Sequence, residues 1–268
     1  MRTLQDGSSG PDVVLLQTRL KDRGFPPGAI DGEFGPGTQA AVLAFQSSEG
    51  LLADGVVGPR TASALGLDGS GPDAPSAMPP FTVSVVSKMF PATPLDPIKQ
   101  NLPQVLDALR ARNLTSVPVV AAALATIRAE TEGFVPIAEL ISRFNTSPGG
   151  HPFDLYDQRK DLGNRGPPDG SAFKGRGYVQ LTGRANYALY GPLAGVPGLV
   201  EAPERASDPE IAARLLAAFI GSKEIAIKQA LLLDDLVTAR RLVNGGTNGL
   251  DRFSAAYRIG VALVRLAS

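Results

Sequence analysis

The chain has 268 residues, 43% of them hydrophobic, enough to bury one large core or two unequal ones without covalent staples. With no cysteine and a single histidine, His151, it has no disulfide framework and no thiolate nucleophile, and a zinc site would hold at most one imidazole. Carboxylates are left as the chief candidates for acid–base chemistry, with no cofactor or metal expected. The 26 basic and 26 acidic residues cancel; residues 81–268 hold 21 Lys/Arg against 17 Asp/Glu, a surplus that suits an anionic polymer but forms no nucleic-acid stripe.

Met1-Arg2-Thr3-Leu4-Gln5-Asp6 lacks a basic stretch followed by an apolar run, so no secretory signal is expected. The most apolar segment, 215–220, is flanked by Arg214, Lys223, Glu224 and Lys228 and is too short and charged to span a bilayer.

At the start of the chain Val13, Leu16, Gln17 and Leu20 recur at helical spacing until Gly24. Two similar stretches follow, offset by 23 residues: Asp31-Gly32-Glu33-Phe34-Gly35-Pro36-Gly37-Thr38 and Asp54-Gly55-Val56-Val57-Gly58-Pro59-Arg60-Thr61. Each reads as an Asp-Gly turn and then a helix with Pro in its first turn. A three-helix unit over 1–67 is expected. Asp31, Gly32, Asp54 and Gly55 read singly as turn formers, so any binding would come from the groove that the turns shape. The doubled D-G-x-x-G-P-x-T-x-x-A pattern resembles the peptidoglycan-binding type 1 domain, which implies peptidoglycan as partner.

Residues 68–80, rich in Gly, Pro and Ser, read as an exposed linker, and 81–268 as a second, larger domain. There Asn101-Leu102-Pro103 predicts a helix start running to about 113, and Ser116-Val117-Pro118 predicts another through Glu130. The second is almost wholly apolar over 119–127, as a central buried helix would be. Its last turn carries Arg128, Glu130 and Glu132. Residues 142–175 read as a long loop of the kind that binds ligands. Helices are then expected from Asp208-Pro209-Glu210 through Phe219, over about 225–232, over 238–242 and from 251 to about 266. The fold class is mainly α.

Glycosidic hydrolysis needs one carboxylic acid to protonate the leaving oxygen and a second carboxylate to activate water or attack the sugar. Glu130 and Glu139 are candidates, and Gly133 and Pro136 between them force a turn that can set them across a cleft. A buried, apolar neighbourhood would suit Glu130 to the acid role. The alternative places Glu130 in solvent at a helix end and Glu139 at the start of the next helix. Downstream, Gly175-Arg176-Gly177-Tyr178-Val179-Gln180-Leu181-Thr182-Gly183-Arg184-Ala185-Asn186-Tyr187 offers glycines for close backbone approach and polar side chains suited to sugar hydroxyls and amides.

Together with Ala129-Glu130-Thr131 and Val243-Asn244-Gly245-Gly246, this strip resembles the family nineteen glycoside hydrolases, a chitinase-like group that includes bacteriophage endolysins. The resemblance, over roughly 85–268, implies a lysozyme-like or chitinase-like helical catalytic domain with Glu130 as general acid, Glu139 as second carboxylate and Thr182 holding the attacking water. It implies substrate contacts from Gln180, Asn186 and Asn244, with Arg252 in the polar network of the cleft. Arg176 and Tyr187 read as substrate contacts or, like Tyr178, as loop support. Ala129 stands where plant members have His, and Glu132, Asp154, Asp157 and Asp161 compete for the second carboxylate; His151 reads as a loop-surface residue. The function implied is a modular, monomeric endolysin, a muramidase-like enzyme inverting the anomeric centre with carboxyls roughly 6.5–9.5 Å apart. It would gather in the host cytoplasm until a separate pore releases it to the wall. A chitinase and a non-catalytic wall-binding protein are the alternatives.

Overall fold

The computed structural model describes residues 3–67 and 78–266, and the chain divides into two compact units, Met1–Ser76 and Ala77–Ser268. Most of the expected 68–80 linker lies outside the described residues.

The first unit is built from α1 (Pro11–Asp22), α2 (Pro36–Ser48) and α3 (Pro59–Leu65). All three open with Pro in the first turn, where the missing N–H costs nothing. Val13, Leu16, Leu20, Val42, Phe45 and Leu65 form its core, with Phe25 edge-on to Phe45 at 5.5 Å. Two glutamines, each 1% exposed, explain the repeat. The Gln17 amide donates to Asp31 Oδ1 (2.9 Å), Glu33 O (3.1 Å) and Thr38 Oγ1 (3.1 Å), and its carbonyl accepts from Gly32 N (2.9 Å). Gln46 does the same with Asp54, Val56, Thr61 and Gly55. The Asp-Gly turns are thus bolted to the preceding helix.

The second unit begins with α4 (Val83–Met89), capped by Thr82, then α5 (Leu95–Ala111) and α6 (Val117–Thr131). The expected start of α5 at Asn101 is wrong by six residues: Pro97 occupies the first turn, and Pro103 is tolerated inside the helix because it sits on the exposed face, where water can reach the carbonyl it leaves unpaired. The central helix α6 is as expected, buried from Val119 through Ile127. A two-stranded antiparallel ladder follows, β1 (Ile137–Ala138) with β2 (Arg176–Gly177), so Glu139 leaves a strand rather than opening a helix. The region expected to be one long loop holds α7 (Asp154–Asp157), a 3₁₀ turn (Lys160–Leu162) and α8 (Asp169–Ala172). Beyond β2 run α9 (Arg184–Leu193), a second 3₁₀ turn (Pro203–Ser207), α10 (Pro209–Ser222), α11 (Glu224–Leu232), α12 (Leu236–Asn244) and α13 (Leu250–Leu266). α13 lies along α6, whose other sides meet α4, α10, α11 and α12. The protein is mainly α, and among the described residues no helix is long and apolar enough to cross a membrane.

Candidate active site

Glu130 is the penultimate residue of α6, so a buried, rigid element presents it. The chain then reverses through Glu132 (φ 52°) and Phe134 (φ 55°), both in the left-handed region. Such backbone persists only when its surroundings impose it. Here Phe134 is fully buried edge-on to Phe90 at 4.9 Å, and its carbonyl accepts from Asn101 Nδ2 (3.0 Å). The reversal leads into β1 and delivers Glu139, whose N–H donates to Gly175 O (2.7 Å).

Both carboxylates line one cavity of about 620 Å³, together with Gln180, Thr182, Asn186 and Asn244. Glu130 Oε1 accepts from Arg240 Nη2 (2.7 Å) and Asn244 Nδ2 (2.9 Å). An apolar setting for Glu130 was expected; the structure instead supplies a buried guanidinium, 1% exposed against 12% for the carboxylate. Glu139 Oε1 accepts from Asn145 Nδ2 (3.0 Å) and the Tyr156 hydroxyl (2.9 Å), and Oε2 accepts from Gly175 N (3.1 Å). Three converging donors match what an ionised carboxylate accepts. Burial, and next its bond to Glu139, push the Tyr156 hydroxyl up to about 12.

The strip from Gly175 to Tyr187 turns under the cavity. Gln180 has φ 49° and offsets that strain by donating from Nε2 to Ile137 O and Gly177 O, both at 3.0 Å. Thr182 donates its only hydroxyl proton to Gln180 O (2.8 Å), so toward a water it can act only as acceptor. Asn186 Nδ2 donates to Thr182 O (2.7 Å). A Cβ on Gly175 would lie 2.8 Å from Gln180 Oε1 and 3.2 Å from both Glu139 Oε2 and Thr182 Oγ1, so these three side chains converge where glycine leaves room.

Arg176, Tyr187 and Arg252 are not among the residues that line this cavity. Arg176 and Tyr187 are buried: the guanidinium donates to Ala172 O (2.7 Å) and to the Tyr187 hydroxyl (3.0 Å), which donates to Lys174 O (2.9 Å). They tie the strip together from below. Arg252 pairs with Glu132, and the arginine at Glu130 is Arg240. The competing carboxylates are engaged elsewhere, Asp154 by Ser147, Asp157 by His151 (3.1 Å) and Gly170 N (2.8 Å), and Asp161 by Arg159.

Sequence reasoning missed Arg240, Asn145, Tyr156 and Lys223. Arg240 stands one helical turn before Asn244, a spacing that puts both on one face. Lys223 lines the cavity and donates to Leu242 O (2.7 Å), and burial pulls its ammonium below the usual lysine value. A second cavity of about 690 Å³ is lined by Gln104, Asp107, Arg112, Glu210 and Arg214. Its two carboxylates, Asp107 and Glu210, are ion-paired with Arg110 and Arg214.

Residues 9–65 match the family described as "Putative peptidoglycan binding domain". They are a domain of that family. Over 63 residues the chain is 54% identical to a zinc D-Ala-D-Ala carboxypeptidase of Streptomyces albus G, covering 22% of this chain and 24% of that protein. Over 64 residues it is 47% identical to a spore cortex-lytic enzyme of Bacillus cereus, covering 24% and 25%. The chain thus spans about a quarter of the length of the curated relatives it matches. A solved endolysin of the Burkholderia AP3 phage aligns over 100% of both chains at 20% identity and a TM-score of 0.32, a likeness that says nothing of the reaction.

Proposed function

We propose that the protein is a cell-wall hydrolase whose larger unit cleaves β-1,4 glycosidic bonds of peptidoglycan while the smaller unit holds the polymer. The observation that carries this reading is the pair Glu130 and Glu139 on one cavity, each oriented by its own set of donors. Glu130, with Oε1 fixed by Arg240 and Asn244, presents Oε2 to protonate the leaving oxygen. Glu139 takes a proton from a water, which also donates to Thr182, and the water attacks the anomeric carbon from the opposite face, inverting it. The carboxypeptidase activity that one relative's name carries is not taken over, because the chain covers only 24% of that protein. Tethering raises the local concentration of the larger unit on an insoluble substrate. In the same reading the protein is a monomeric phage endolysin that reaches the wall from the host cytoplasm through a separate pore.

Glu130→Gln tests it. The substitution keeps the side-chain shape and removes the proton donor, so turnover of purified peptidoglycan should fall about 10²–10⁴-fold. Unchanged lysis sinks the assignment. Mass spectrometry of the released muropeptides, beside a chitin assay, reports the bond cut and separates a muramidase from a chitinase.

A further inference from the structure

Immediately after Glu139 the chain exposes three large apolar side chains within five residues: Leu140 (82%), Ile141 (61%) and Phe144 (74%). Clustered exposure of this kind marks a surface that something covers. The turn that carries them is rigid. Asn145, 1% exposed, accepts from Ser142 N (2.9 Å) and donates to Leu140 O (2.9 Å), and the same amide donates to Glu139 Oε1 (3.0 Å). One side chain therefore sets both the shape of the apolar turn and the orientation of the carboxylate. The Arg143 guanidinium stacks on the Phe144 ring, 4.9 Å from its centroid, and steadies it.

We propose that this turn is a platform for the saccharide polymer, with Phe144 taking the C–H face of a pyranose ring and Leu140 and Ile141 the methyls of its acyl substituents. The inference rests on the glycosidase reading and extends the grip on the glycan beyond the cavity on the Glu139 side. Continuity decides the occupant: the turn is pinned to a cavity-lining carboxylate, so what covers it lies beside the cleft, where a long glycan must pass. A π-face backed by a cation, with two exposed aliphatic side chains on the same turn, matches the apolar side of an N-acylated hexosamine.

The test compares the full chain with Ile141→Ser/Phe144→Ala on solubilised peptidoglycan strands and on a tetrasaccharide of the same sugars. Both side chains are exposed, so an unchanged melting curve confirms folding. KM on strands should rise about tenfold with kcat nearly unchanged, and the tetrasaccharide should be turned over as before. An unchanged KM on strands overturns the platform. So does loss of binding to phosphatidylglycerol vesicles with strand KM intact, which would assign the turn to a lipid surface. If the parent chain releases no new reducing ends, the glycosidase reading fails instead. Co-sedimentation of both proteins with strands then decides the platform, weaker binding by the variant supporting it and equal binding overturning it.

Discussion

Arg240 and Glu130, 110 residues apart in the chain, meet at 2.7 Å with the guanidinium almost wholly buried. A buried charge whose partner is removed keeps its desolvation penalty and loses the compensating attraction. Glu130→Ala leaves Arg240 in that position, and Arg240→Met strands the carboxylate. Each variant should lose about 3–5 kcal/mol of stability in denaturant unfolding. The double variant Glu130→Ala/Arg240→Met should recover part of that loss, and strict additivity would mean the pair is not coupled.

Tyr156 makes stability depend on alkaline pH. It is neutral when protonated, and the native fold holds that proton up to about pH 12 against the ordinary 10.0, first through burial and then through the bond to Glu139. Its contribution is complete below pH 10 and disappears as pH climbs through 12. Tyr156→Phe should therefore flatten the fall in stability between those values. Parallel pH–stability curves for the two proteins would rule the linkage out.

Helix starts were legible because proline marks them: Pro36, Pro59, Pro118 and Pro209 all lie in first turns. Pro103 misled, since proline signals a start only where no earlier segment can nucleate the helix, and Pro97 already does so for α5. The cavity-lining polar strip was legible from its glycines and amides. Arg240 and Tyr156 were not, because their roles arise from tertiary pairing that no local pattern encodes. The same holds for the region between Glu139 and β2. Its shape depends on long-range clips such as Arg184 Nε donating to Asp169 (2.8 Å) and Arg184 N donating to Asn164 Oδ1 (2.9 Å).

Gly175 offers a sharper probe of positioning than any cavity side chain. A methyl there meets Gln180 Oε1 at 2.8 Å while Gln180 is held by two backbone carbonyls, so the amide must give way and press on Glu139 and Thr182. Gly175→Ala should cost about 1–3 kcal/mol through overpacking. Turnover should fall further than that loss explains, on the order of 10²-fold, since small displacements of reacting groups are costly. Full activity in a folded variant would show that the convergence of these three groups does not matter to the reaction.

The two glutamine clamps of the first unit predict equal effects from two distant substitutions. Gln17→Leu removes the amide that serves Asp31, Glu33 and Thr38 and leaves Gly32 N without its acceptor. Gln46→Leu does the same to the second turn. An unmet buried donor and the lost bonds should cost about 1–3 kcal/mol in each case, read as faster hydrogen exchange within residues 3–67 of the full chain. The Gln17 amide, and next the Glu33 N–H, also hold the Asp31 carboxyl below its ordinary 3.8, so its contribution is present above that pH and fades as pH falls through the lowered native value. Gln17→Leu should blunt that acid loss. Markedly unequal exchange rates for the two variants would mean that the sequence repeat is not an energetic one.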